Sequence, residues 1–148
     1  MTRPVLVLNG PNLNLLGRRE PGIYGTLTLA DIEASCVREG AALGLAVTCR
    51  QSNGEGELVT WVQQAADEFE ALIFNPGAYS HTSVALLDAL RFLETPVFEV
   101  HLSNIHQREE FRHHSYVSLV AKGVIVGFGA KGYELALRGA ADLLNGES

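Results

Sequence analysis

Arg19 and Tyr24 lie five residues apart in a short stretch bounded by Gly17 and Gly25. A free phenol has a pKa of about 10 and is roughly a thousandth ionised at pH 7. A nearby guanidinium favours the phenolate, and each unit of depression corresponds to about 1.4 kcal/mol. The two residues form a candidate cation–base pair, set against the plainer alternative of a solvated arginine beside a packing tyrosine. Farther along, Glu99-Val100-His101 spaces a carboxylate and an imidazole two residues apart. On a strand this puts both on one face, where the carboxylate orients the ring and favours its protonated form. Asn12, just after an apolar run, is either an Asx turn or an amide donor to an oxyanion. A base, an acid and an oxyanion donor are what proton-transfer chemistry needs.

The elements that must position these groups follow from the apolar pattern. Residues 4–9, 45–51, 71–75, 96–101 and 124–127 read as five short strands. Helical patterns occupy 28–44, the stretch after Gly54-Glu55-Gly56 through Ala65, residues 80–93 and residues 133–144. Thr28 and Asp31 mark the start of the first helix, and a glycine marks its end. Strands separated by helix-length crossovers imply a parallel sheet covered on both faces, here a flavodoxin-like, doubly wound, three-layer α/β/α fold. Such sheets bind ligands beyond the carboxyl ends of their strands, near the switch in strand order. Asn9-Gly10-Pro11-Asn12, Asn75 through His81, and Glu99 through Asn104 all fall at such ends.

Composition narrows the class. At 148 residues, 47% hydrophobic and 19% charged, the chain suits one domain spanning 1–148. Its Gly- and Pro-rich segment, about 17–26, reads as a mobile lid loop. A net charge of −6 argues against nucleic acid and anionic membrane as partners. No segment approaches the ~20 apolar residues of a membrane span, and the first apolar run stops at Asn9, so a cytoplasmic location is expected. Cys36 and Cys49 sit in apolar patterns and read as reduced core thiols. The five histidines match no metal-ligand spacing. Gly127-Phe128-Gly129-Ala130-Lys131-Gly132 matches a dinucleotide fingerprint, yet the chain ends before the strand and acidic residue that such a site requires. It reads instead as a tight strand-to-helix turn.

Four segments together resemble the type II 3-dehydroquinate dehydratases. They are residues 9–17 with Arg19-Glu20-Pro21 and Tyr24-Gly25, residues 75–81, residues 99–106, and Phe111-Arg112-His113-His114-Ser115-Tyr116. The resemblance runs from the first strand to the last helix and implies loss of water from 3-dehydroquinate, giving 3-dehydroshikimate through an enolate. It implies Tyr24 as the base, Arg19 as its activator and Asn12 as the holder of the enolate oxygen. His101 becomes the acid, oriented by Glu99. Asn75 and Ser103, with the backbone amides of Leu102 and Ser103, would hold the substrate carboxylate. His81 and Arg112 would take ring hydroxyls. Asp88 would reach the site of an adjacent subunit, in trimers that assemble into a dodecamer. Arg108 is a weaker candidate, and His106, His113 and His114 are assigned to structure. No cofactor and no metal are implied.

Two other readings compete. A Schiff-base route to the same product needs a desolvated pocket lysine. Only Lys122, expected at the wrong end of the sheet, and Lys131, in the Gly-rich turn, exist. A non-enzymatic binding module or switch on the same fold would want acids or a hydroxyl-rich phosphate loop at the strand ends. Asn9 and Asn75 stand there instead. Between a biosynthetic role in the shikimate pathway and a catabolic one in quinate breakdown, the residues do not choose.

Overall fold

The computed structural model describes residues 2–18 and 26–146. Five strands form one parallel sheet: β1 (Arg3–Asn9), β2 (Leu45–Gln51), β3 (Ala71–Asn75), β4 (Val97–His101) and β5 (Gly123–Val126). Their order is β2-β1-β3-β4-β5, the doubly wound flavodoxin-like order, with its switch between β1 and β3. Four helices cover it: α1 (Leu29–Ala42), α2 (Glu55–Glu68), α3 (Val84–Phe92) and α4 (Lys131–Leu144).

Alternation along β1 divides the core. Val5 and Val7 pack with Ile32 and Cys36 of α1 and Ala136 and Leu137 of α4. Leu6 and Leu8 face the other way, onto Leu58 and Val62 of α2 and Leu86 and Leu90 of α3. A strand buried on both faces needs apolar residues at every position, which is why 5–8 is a continuous apolar run. Thr28 and Asp31 close a reciprocal capping box at the start of α1, with hydrogen bonds of 3.2 and 3.0 Å. A cap of this kind stabilises a helix by about 1 kcal/mol.

One helix differs from expectation. Residues 80–93 are not continuous: a 3-10 turn spans Gly77–His81, and α3 begins only at Val84. Ser83 makes the break, because its side chain accepts the Leu86 N–H at 3.0 Å and caps a fresh helix. The break leaves His81 on a turn beside β3 rather than on a helix face. The aperiodic segment after β4 resolves into three 3-10 turns, Ile105–Gln107, Glu110–Arg112 and Val117–Leu119.

The glycine-rich turn after β5 has a structural task. Gly127, at φ +88°, donates its N–H to the His101 carbonyl at 3.3 Å, and the Gly129 N–H reaches the Leu102 carbonyl at 2.9 Å. A Cβ on Gly132 would lie 3.3 Å from Val100. These glycines pin the end of β4. Cys36 is buried and Cys49 half-buried, and both thiols are free. A hydrogen bond with Cys36, together with burial, pushes the Cys49 thiol above its usual range, so it stays protonated.

Candidate active site

The site lies where β1, β3 and β4 end. Asn9 and Asn75 are register partners at the ends of β1 and β3. Just beyond them the two loops touch: the Gly10 N–H donates to the Asn75 carbonyl at 2.8 Å. A Cβ on Gly10 would stand 2.4 Å from the Pro76 carbonyl oxygen, so only glycine permits this approach. A cavity of about 90 Å³ opens here.

Asn12, Asn75, His81, His101, Leu102 and Ser103 line this cavity, and Arg108 and Arg112 stand on its wall. Three sequence-distant clusters therefore converge. Glu99 sits behind His101 rather than in the cavity. Its Oε2 lies 2.5 Å from His101 Nε2, with Glu99 fully buried and His101 5% exposed. Burial alone would raise the Glu99 pKa, but hydrogen bonds from His101, Ser115 and Ser118 outweigh it and hold the carboxyl below its usual range. Nε2 being engaged, Nδ1 is the ring nitrogen left for a ligand.

Asn12 does not form an Asx turn. Its side chain makes no capping hydrogen bond, and its backbone adopts the left-handed region at φ +69°. It is the sole non-glycine residue at positive φ among the described residues. Asn53 Oδ1 holds the Asn12 N–H at 2.9 Å, and Gln51 Nε2 donates to that same oxygen at 3.1 Å and to the Gly10 carbonyl at 3.1 Å. The turn is thus braced from β2, leaving the Asn12 amide on the cavity wall.

Asn75 is fixed from the other face of the sheet. Its Nδ2 donates to the Tyr133 hydroxyl at 2.9 Å, its Oδ1 accepts the Gly77 N–H at 3.1 Å, and Tyr133 donates onward to Asn9 Oδ1 at 2.5 Å. Burial pushes the Tyr133 hydroxyl above its ordinary range and keeps it neutral. The His81 ring packs edge-on against Phe111 at 5.5 Å. Burial first, then the charges of Arg112 and His101, lower its pKa, which leaves a neutral imidazole suited to a hydroxyl. Arg112 Nε pairs with Glu109 Oε2 at 2.8 Å.

Among the described residues, Glu99 and Asp88 do not line this cavity. Arg19 and Tyr24, with residues 19–25 of the expected lid, lie outside the described residues. Asp88 is exposed on α3, one turn from the exposed Val84 and one turn from the exposed Phe92. His113 Nε2 meets the Arg108 carbonyl at 2.9 Å, and His114 packs on Tyr116, so both have structural contacts. The two lysines stand apart from the cavity. The Lys122 N–H bonds the Val97 carbonyl at the opposite end of the sheet, and Lys131 pairs with Glu134 at 2.7 Å. Among the described residues, no three His, Cys, Asp or Glu side chains could hold a metal ion.

Sequence reading missed the supports: Asn9, Gln51, Asn53, Ser115, Ser118 and Tyr133. Ser115 stands within a matched motif, and the lateral pairing of two strand-final asparagines was a usable signal for Asn9. Nothing local in the sequence marks the other four.

Fold and site together define a flavodoxin-like domain with a buried Glu–His pair at the end of β4 and amides at the switch point. Comparison with known proteins sharpens the class. The model of the family "Dehydroquinase class II" matches residues 3–141. The 3-dehydroquinate dehydratase of Brucella canis is 63% identical over 147 residues, covering 99% of this chain and 94% of its own length. The crystal structure of type II dehydroquinase from Propionibacterium acnes superimposes with a TM-score of 0.92 at 52% identity, over 95% of this chain and 97% of the other. That from Butyrivibrio crossotus gives 0.91 at 40% identity, over 94% and 97%. The chain belongs to the type II dehydroquinase family.

Proposed function

We propose that the chain is a hydro-lyase that removes water from 3-dehydroquinate to form 3-dehydroshikimate. The observation that carries this is the buried Glu99–His101 pair facing a cavity lined by Asn12 and Asn75, in a chain of this family. The proton alpha to the ketone passes to the Tyr24 phenolate, which Arg19 stabilises, and the electron pair moves into the carbonyl to form an enolate. Asn12 donates to the enolate oxygen. The enolate collapses, the beta C–O bond breaks, and the departing hydroxyl takes a proton from His101 and leaves as water. Tyr24 must then lose its proton and His101 regain one. Asn75, Leu102 and Ser103 hold the substrate carboxylate, and His81 and Arg112 the ring hydroxyls.

The catalytic unit spans 1–148, and the assembly is a dodecamer of trimers in which Asp88 serves a neighbouring subunit. Val84, Asp88 and Phe92 at spacings of four form one exposed stripe on α3, an apolar border around a carboxylate that a partner would cover. We place the enzyme in the cytoplasm and in the shikimate pathway, leading to aromatic amino acids. No helix among the described residues is long and apolar enough to cross a membrane.

Adding 3-dehydroquinate should raise the ultraviolet absorbance of the conjugated enone product; silence would sink the reading. Borohydride should trap no adduct, since an enolate route forms no imine. Sedimentation at assay concentration tests the assembly: a fully active monomer would end that part of the proposal, and Asp88→Ala should lower activity even where assembly survives.

A further inference from the structure

Glu99 is fully buried, and each of its oxygens has a donor beyond what orienting a histidine requires. Oε2 accepts from Ser115 Oγ at 2.6 Å as well as facing His101 Nε2, and Oε1 accepts from Ser118 Oγ at 2.5 Å. A buried histidine–carboxylate pair can hold its shared proton in two ways: as imidazolium with carboxylate, or as neutral imidazole with carboxylic acid. Burial favours the neutral version, because isolated charges are costly to desolvate. Arg108 and Arg112, from the segment after β4, stand on the cavity wall, where Arg112 pairs with Glu109, and His81 stands on the turn after β3. Arg19 and Tyr24 of the proposed machinery lie outside the described residues.

The hydroxyls act in the opposite sense. An ionised carboxylate accepts at both oxygens, whereas a protonated one surrenders acceptor capacity to its own O–H. Two short hydroxyl donors therefore stabilise the ionised form selectively. Their backbone is anchored: the Tyr116 N–H bonds the Ser80 carbonyl at 2.7 Å, and Val117 is fully buried between the two serines in sequence.

We propose that Ser115 and Ser118 are positioning residues for the acid, fixing the Glu99 carboxylate against Nε2 so that the His101 ring is held with Nδ1 toward the cavity and the departing hydroxyl. The inference rests on the reading of His101 as the acid. Each serine acts through Glu99, and neither lines the cavity.

The test compares Ser118→Thr with Ser118→Val, which fill similar space and differ in the hydroxyl, and adds Ser115→Ala. Steady-state kcat and KM are measured with 3-dehydroquinate. Ser118→Val should lower kcat roughly tenfold, with KM changed less than threefold. Ser118→Thr should restore kcat. Ser115→Ala should lower kcat in the same way. An unchanged kcat in Ser118→Val, whether or not its melting point falls, would overturn the inference, as would a Thr variant that behaves like Val. His101→Ala separates the two levels. Near-normal turnover there would remove His101 as the acid, whereas an inactive His101→Ala beside a fully active Ser118→Val defeats only the role of the serines.

Discussion

Two buried polar networks sit side by side at the carboxyl ends of the sheet, built on different terms. Behind β4, every oxygen of Glu99 is met by a donor. Beside β1 and β3, the chain Asn75–Tyr133–Asn9 is neutral, and Asn9 Nδ2 has no partner among the described residues. An unpaired neutral amide costs about 1–3 kcal/mol and can be tolerated. An unpaired buried carboxylate would not remain ionised. The charged network can hold and release a proton. The neutral one can only orient, and it sets which way the Asn75 amide faces the cavity.

His101→Ala should draw the contrast most sharply, lowering kcat by about 10²–10⁴-fold, measured by enone absorbance, because it removes the proton donor itself. Next in size is Gly10→Ala, which forces a Cβ into the Pro76 carbonyl where the loops after β1 and β3 meet. Overpacking of this kind costs about 1–3 kcal/mol, and chemical denaturation should show it. Tyr133→Phe strands the amides of Asn9 and Asn75. It should cost about 1–3 kcal/mol and raise KM more than it lowers kcat, since Asn75 is read as a binding group. A kcat loss matching that of His101→Ala would erase the distinction between orienting and proton-transferring networks.

The smallest effect concerns acid. The folded Glu99 carboxyl lies below its unfolded value of about 4.3. Its contribution to stability is therefore complete above that value and is lost as pH falls through the lower folded one. Denaturation midpoints measured between neutrality and acid should decline more gently for Glu99→Gln than for the wild type. Tyr133→Phe should leave the shape of that acid decline unchanged, because a tyrosine held neutral takes up no proton there.

Sheet, helices and site location were legible because they depend on local pattern. A strand buried on both faces must be apolar throughout, as 5–8 and 71–74 are, and crossovers of helix length force parallel pairing. The Glu-x-His spacing stated its own geometry, since alternation on a strand is independent of context. The helix over 80–93 was misread because Ser83 resembles any polar surface residue until its hydroxyl is seen capping Leu86. Asn12 was ambiguous for a related reason. Either an Asx turn or a free amide suits its sequence, and the brace from Gln51 and Asn53, some forty residues away, decides between them.

By itself, then, the sequence determined the order of strands and helices, the end of the sheet where the cavity opens, and the Glu–His pairing at the end of β4. Periodicity and short-range spacing carry that information along the backbone. Only the tertiary structure decided which hydroxyls reach Glu99, that Tyr133 of the last helix orients Asn75, and that Gly10 lets two loops meet. Those contacts join residues separated by up to 124 positions, as Tyr133 and Asn9 are. Their hydrogen bonds exist only once both faces of the sheet are packed.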